Sequence, residues 1–157
     1  MDIRFATIND IDAITELERQ CFPPEEAAEK DSFEKRLTVF PNHFWLLEDS
    51  GKLASMINGM TTDIPILRDE MFEDATMHRE EGQWQMIFGV NTLPEYRRRG
   101  LAGALLQQMI QEAEEQISEV EDRLVESTDA EQKREKRLKT NEESLRELWD
   151  NVKHCET

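Results

Sequence analysis

The chain has 157 residues, enough for one domain or one small domain with an appendage. Acidic residues outnumber basic ones by 35 to 19, a net charge of −16. That balance argues against a general nucleic-acid binder, which needs a basic field. No apolar run is long enough for a transmembrane helix, and Met1-Asp2-Ile3-Arg4 does not open a secretory signal. Cys21 and Cys155 stand far apart and give no metal-ligand spacing, so no metal and a reducing, cytoplasmic setting are expected.

The composition changes along the chain. All six glycines and all five prolines lie before position 117. Gly and Pro punctuate turns, so residues 1–116 are expected to form a folded, mixed domain and residues 117–157 one uninterrupted helix. In the first segment, Ile3 and Phe5 alternate with Arg4 as a short strand. Asn9 can cap a helix with Ile11, Ile14 and Leu17 on one face, and Phe22-Pro23-Pro24 ends it. A second helix is expected over 27–38. Phe44-Trp45-Leu46-Leu47 reads as a strand, Glu48-Asp49-Ser50-Gly51 as a turn, and 53–60 as a second strand. A polar stretch over 61–81 carries one short helix near 67–71. Residues 84–90 read as a nearly continuous apolar strand, expected where both faces are buried. Pro94 ends it, and Gly100 opens a helix with Leu101, Leu105, Met109 and Ile110 at core spacing. The order β-α-α-β-β-β-α specifies an α/β or α+β sheet protein.

The chemistry concentrates between that last strand and helix, in Leu93-Pro94-Glu95-Tyr96-Arg97-Arg98-Arg99-Gly100-Leu101-Ala102. The first amides of a helix have no intrahelical partners, and the helix dipole adds partial positive charge there. Gly100 and Ala102 let the backbone approach a ligand closely, and three arginines add cations in a strongly acidic chain. Such a turn fits a phosphate.

Arg97-Arg98-Arg99-Gly100-Leu101-Ala102 resembles the R/Q-x-x-G-x-G/A signature of the GNAT acetyltransferase superfamily. Thr92-Leu93-Pro94-Glu95-Tyr96 resembles its lead-in. Residues 1–116, with Cys21-Phe22-Pro23-Pro24 and Phe44-Trp45-Leu46-Leu47, look like the first half of such an enzyme. The resemblance implies a partial GNAT sheet that binds acetyl-coenzyme A as cosubstrate. Its pyrophosphate would sit on Arg97, Arg98, Arg99, Gly100, Leu101 and Ala102, and its pantetheine arm along Val90, Asn91 and Thr92. A small-molecule or peptide amine would attack the thioester directly. No histidine lies on the strand before the signature. His78, in the polar stretch, is the one candidate base, against the plainer reading of an exposed loop residue. His43 reads as structural and Cys21 as core. Glu73 and Asp74 could hold an ammonium. The strands that follow this helix in the family are not here, and Tyr96, within the signature, is the only tyrosine.

A heptad repeat follows instead. With Ile110 at position a, the seam runs through Ala113, Ile117, Val120, Leu124, Ser127, Glu131, Arg134, Leu138, Asn141, Leu145, Leu148, Val152 and Cys155. A sustained period of 3.5 predicts a coiled coil and a homo-oligomer through 110–155. Residues 117–124, 134–142 and 144–153 resemble the coiled coil of the RNA-binding first-frame protein of mammalian LINE retrotransposons, a region that trimerises in that family. The basic run Lys133–Lys139 reads as a coiled-coil flank rather than an RNA contact. Two functions therefore stand: an acetyltransferase lacking half its family's fold, or a non-catalytic oligomerising module with a vestigial coenzyme-binding half.

Overall fold

The computed structural model describes the backbone of residues 1–155, and the side chains of these except 138–142, 144, 145 and 148–155. The chain divides into two compact units, Met1–Ile110 and Gln111–Thr157.

In the first unit, β1 (Asp2–Phe5) leads into a single 3-10 turn and then α1 (Ile11–Cys21). Thr7, not Asn9, is the cap. Its Oγ1 accepts from the Asn9 amide at 3.3 Å while Asp10 takes the Thr7 amide at 2.7 Å, a reciprocal box. α1 buries Ile14, Leu17 and Glu18. Its successor α2 (Lys30–Val39) starts three residues later than the sequence suggests. The reason is local: the amides of Glu26 and Ala27 both turn back to the Pro23 carbonyl at 2.9 Å.

β2 (Phe44–Asp49) and β3 (Lys52–Asn58) form a hairpin whose turn places Ser50 and Gly51 at positive φ. The antiparallel sheet runs β1-β2-β3-β6, with β6 spanning Gly89–Thr92. On one face Phe44, Leu46 and Met56 meet Ile14, Leu17, Phe33 and Leu37 of the first two helices. On the other, Trp45, Leu47 and Ile57 meet Leu101, Leu105 and Met109 at the start of α4 (Leu101–Cys155). Ile110, expected in that core, is 53% exposed. Alternate residues of β2 thus enter two cores, as the period of two requires.

The stretch 84–90 departs from expectation. It is not one continuous strand with both faces buried. It divides into β5 (Trp84–Gln85), paired with the unforeseen β4 (Thr61–Thr62), and β6, paired with β3. Trp84 is 48% exposed and Val90 40%. Thr61 pairs with Gln85 and Asn58 with Gly89, so four steps on one side oppose three on the other. The Phe88 amide also donates to Asn58 O at 2.7 Å. This is a β-bulge, one extra residue that kinks the strand between β5 and β6. α3 (Glu70–Glu73) lies in the loop before it, slightly later than the helix expected near 67–71.

The second unit is the continuation of α4. Ile117, Val120, Leu124 and Val125 are each more than half exposed in the single chain. Glu119 pairs with Arg123 one turn on, at 3.8 Å. Seam positions Leu138, Asn141, Leu145, Leu148, Val152 and Cys155 lie outside the described side chains.

Candidate functional site

The arginine turn is fixed from both sides. After β6 the Leu93 amide bonds Ala54 O at 2.9 Å, and Pro94–Tyr96 makes one 3-10 turn. Tyr96 donates its hydroxyl to Asp49 at 2.9 Å, and Lys52 pairs with Glu95 at 2.9 Å, so the β2–β3 hairpin anchors the turn. The hydrogen bond to Asp49 holds the Tyr96 hydroxyl above its ordinary pKa. Arg97 Nε donates to Thr92 O at 3.1 Å, and the Arg99 guanidinium lies 5.1 Å from the Tyr96 ring centroid.

The backbone then alternates hand. Arg98 has φ 64° and Gly100 φ 79°, both left-handed. Successive amides in such alternation converge into a concavity suited to an anion. Ala104 N–H makes a helix bond to Gly100 O at 3.0 Å. The amides of Leu101, Ala102 and Gly103 precede it at the open end of a 55-residue helix. A Cβ built on Gly100 or Gly103 would meet nothing within 4 Å, so the space over the turn is free. Arg97, Arg98, Arg99 and Gly100 are all exposed. The expected anion residues are therefore together.

β6 is an edge strand of its sheet. Antiparallel pairing alternates, and the Leu93–Ala54 bond fixes its phase. Asn91 faces β3 in that phase, whereas the backbone groups of Val90 and Thr92 point to the open edge. Thr92 O also accepts from Cys21 Sγ at 3.4 Å. The Asn91 side chain is fully buried; its amide donates to Glu18 Oε2 at 2.7 Å, and Glu18 Oε1 takes the Ala28 amide at 3.1 Å. Asn91 Oδ1 has no partner among the described residues.

His78 is not the exposed loop histidine of the sequence reading. Only 5% of its side chain is accessible, and its ring lies 4.9 Å from those of both Phe40 and His43. Its Nδ1 accepts from the Thr61 amide at 3.2 Å and its Nε2 meets Glu80 Oε2 at 2.7 Å. Burial, with the neighbouring His43, holds its pKa below the ordinary value against the pull of Glu80. Burial pushes Glu80 up, but hydrogen bonds from His78, Asn42 and His43 and the charge on His43 outweigh it, leaving the carboxyl below its usual value. Sequence spacing alone did not bring His43, His78 and Glu80 together; the β4–β5 pairing does.

Glu73 and Asp74 line an open cavity of about 510 Å³ with Asp31, Glu34 and Lys35.

A family model described as an acetyltransferase (GNAT) domain matches residues 2–121, and one described as an L1 transposable element trimerization domain matches residues 110–151. Among solved structures, the GphF GNAT-like decarboxylase in complex with isobutyryl-CoA is 26% identical, with a TM-score of 0.62 over 68% of this chain and 56% of its own. The loading GNATL domain of CurA from Lyngbya majuscula is 24% identical, with a TM-score of 0.63 over 70% and 56%. The ribosomal-protein-S18-alanine N-acetyltransferase from Escherichia coli shares the fold at 18% identity, TM-score 0.53, over 73% and 60%. The chain thus spans little more than half the length of these solved relatives. A search of curated proteins gave no match. On the match across residues 2–121, the chain belongs to the GNAT acetyltransferase family.

Proposed function

We propose that this protein binds acetyl-coenzyme A at the arginine turn and transfers the acetyl group directly to an amine. The observation that carries the reading is the left-handed pair Arg98 and Gly100 opening onto the free amides of a long helix. The pyrophosphate is held by those amides from Arg98 to Ala102, with the side chains of Arg97 and Arg99 close by. The outward backbone groups of Val90 and Thr92 take the amides of the pantetheine arm, while Asn91 holds the strand in place through Glu18. The coenzyme supplies the activated thioester; the chain's part is to bind and orient it. Residues 1–116 act as the acetyltransferase domain and 117–157 as the coiled-coil helix. The acceptor is a small-molecule or peptide amine, and the setting is the cytoplasm.

The residues fit the coenzyme's anionic end well and the acid–base steps poorly. Both ring nitrogens of His78 are engaged, so it is not an open proton acceptor in this arrangement. Transfer is therefore expected to be slow, since a missing general acid or base costs about 10²–10⁴-fold. Calorimetry with coenzyme A tests the binding step. Replacing Arg97 and Arg99 by Ala should weaken it by about 1–3 kcal/mol if each loses a charge-assisted contact. Unchanged affinity in the double variant, or no binding by the parent, would overturn the assignment.

A second reading rests on the trimerization-domain match: a non-catalytic module that assembles through its tail. Mass-resolved detection of acetylated amine separates the two. Binding without turnover over the whole amine panel favours the second.

A further inference from the structure

We propose that His43, His78 and Glu80 form a site for a divalent transition-metal ion of the zinc class. Two imidazole nitrogens and a carboxylate converge there, each donor atom within 4.8 Å of the others. Zinc bonds to such donors at about 2.0–2.2 Å, which sets ligands of one tetrahedral ion roughly 3.3 Å apart. His43 Nε2 lies 3.1 Å from both Glu80 oxygens, and His78 Nε2 2.7 Å from one of them. Small outward shifts would seat an ion. The rings are 6% and 5% exposed, while Glu80 is 55% exposed, so the site is walled on the imidazole side and open to water at the carboxylate.

The surroundings suit ligation. The Gln85 amide donates to Met86 O at 2.8 Å and Met60 O at 3.3 Å, which turns its oxygen to His43 Nδ1 at 2.8 Å. Gln85 therefore holds a proton on His43 Nδ1, and Nε2, which donates to Glu80 when no ion is bound, offers its lone pair once an ion replaces that proton. Two electron-rich groups at 3.1 Å need a cation between them, a proton or a metal. A partner of this kind behind the ring is what fixes a metal-binding tautomer.

His78 needs one adjustment. As it stands, Nδ1 accepts from the Thr61 amide, so the proton sits on Nε2. Ligation requires that proton on Nδ1, facing an acceptor. Thr61 Oγ1 lies 3.5 Å from Nδ1 and spends its own proton on Arg79 O at 2.5 Å, leaving its lone pairs free. A small ring rotation moves Nδ1 from the amide to that oxygen. The ion would tie the segment before β2 to the loop before β5, and so brace the bulged strand.

The test uses the full chain stripped with a chelator, then titrated with Zn²⁺ against a chromophoric competitor, and with Co²⁺ for its visible spectrum. One ion per chain is expected, with an intense visible cobalt band from four-coordinate geometry. Glu80→Gln, at an exposed position, should keep the fold by circular dichroism and lose at least tenfold in affinity. Gln85→Ala should lose about tenfold through the freed His43 ring. His154→Ala with Cys155→Ser removes the other sequence-adjacent ligands and should change nothing. No stoichiometric uptake by the stripped chain would overturn the proposal. So would uptake unaffected by Glu80→Gln, or uptake abolished by the tail double variant.

Discussion

Gly59 stands where β3 passes the bulged strand. A Cβ there would lie 1.7 Å from Met86 O and 2.6 Å from its carbonyl carbon. Its φ is ordinary, so the need is for close approach rather than a special conformation. Gly59→Ala must push the backbones apart and should cost about 3 kcal/mol, the upper end of overpacking effects, read as a lower urea midpoint. Gly100 is the opposite case. Its Cβ would have room, but its φ of 79° is left-handed. Gly100→Ala should cost only about 1–2 kcal/mol in stability while lowering coenzyme affinity by distorting the amide turn. Equal affinity in parent and variant would count against the anion role of that turn.

Asp10 shows a pH-dependent contribution at the same scale. It accepts two bonds from Arg4, at 2.7 and 2.9 Å, and caps the turn through the Thr7 amide. The Arg4 hydrogen bonds, aided by Thr7, hold its carboxyl below the usual value of 3.8. A depressed folded pKa means the stabilisation is complete above the unfolded value and is lost as pH falls through the folded one. Asp10→Asn should therefore destabilise by about 1 kcal/mol at neutral pH, the difference between charge-assisted and neutral hydrogen bonds to Arg4. The gap between parent and variant should close on acidification below about pH 4. A gap independent of pH would show that the charge contributes nothing.

At the scale of elements, the hairpin of β2 and β3 was readable because Glu48-Asp49-Ser50-Gly51 carries its own turn chemistry between two apolar runs. The start of α4 was readable for a similar reason, since Pro94 and Gly100 punctuate it. The bulge was not. Trp84-Gln85-Met86-Ile87-Phe88 has no glycine or proline to interrupt it, and nothing local says that Thr61–Thr62 will pair with its first two residues. The extra residue exists only in the register between distant segments. The histidine cluster was hidden for the same reason, because His43 and His78 are 35 positions apart and meet only after β4 and β5 pair. Glu18 was also invisible: a carboxylate on an amphipathic helix reads as part of its solvated face, yet it joins α1, the following loop and β6. Glu18→Ala leaves the buried Asn91 amide and the Ala28 amide unpaired and should cost about 1–3 kcal/mol in chemical denaturation. A cost near zero would mean water replaces the carboxylate at both donors.

At the scale of the whole molecule, the apolar seam of the second unit calls for a partner surface. Ile117, Val120 and Leu124 are 58%, 53% and 62% exposed in the single chain. Burying each such side chain fully is worth about 1.5–3 kcal/mol, and a heptad stripe buries most readily against copies of itself. If the tail assembles as in the trimerization domain that residues 110–151 match, three copies meet at the seam. The polar seam positions Ser127, Glu131 and Arg134 interrupt the stripe and should make that stretch its weakest part. Sedimentation equilibrium should then report a mass near three times 18.4 kDa. Ile117→Asp with Leu124→Asp should shift the mass to that of one chain, because a charge at a seam position is buried without a partner. Coenzyme affinity should stay unchanged in that variant if the arginine turn works within one copy. Ser127→Leu with Arg134→Leu should act in the other direction and raise the melting temperature of the assembly by filling the gap. A parent chain that sediments as a monomer at micromolar concentration, with its helix content unaffected by the two aspartates, would overturn the coiled-coil assignment and leave the exposed seam to some other partner.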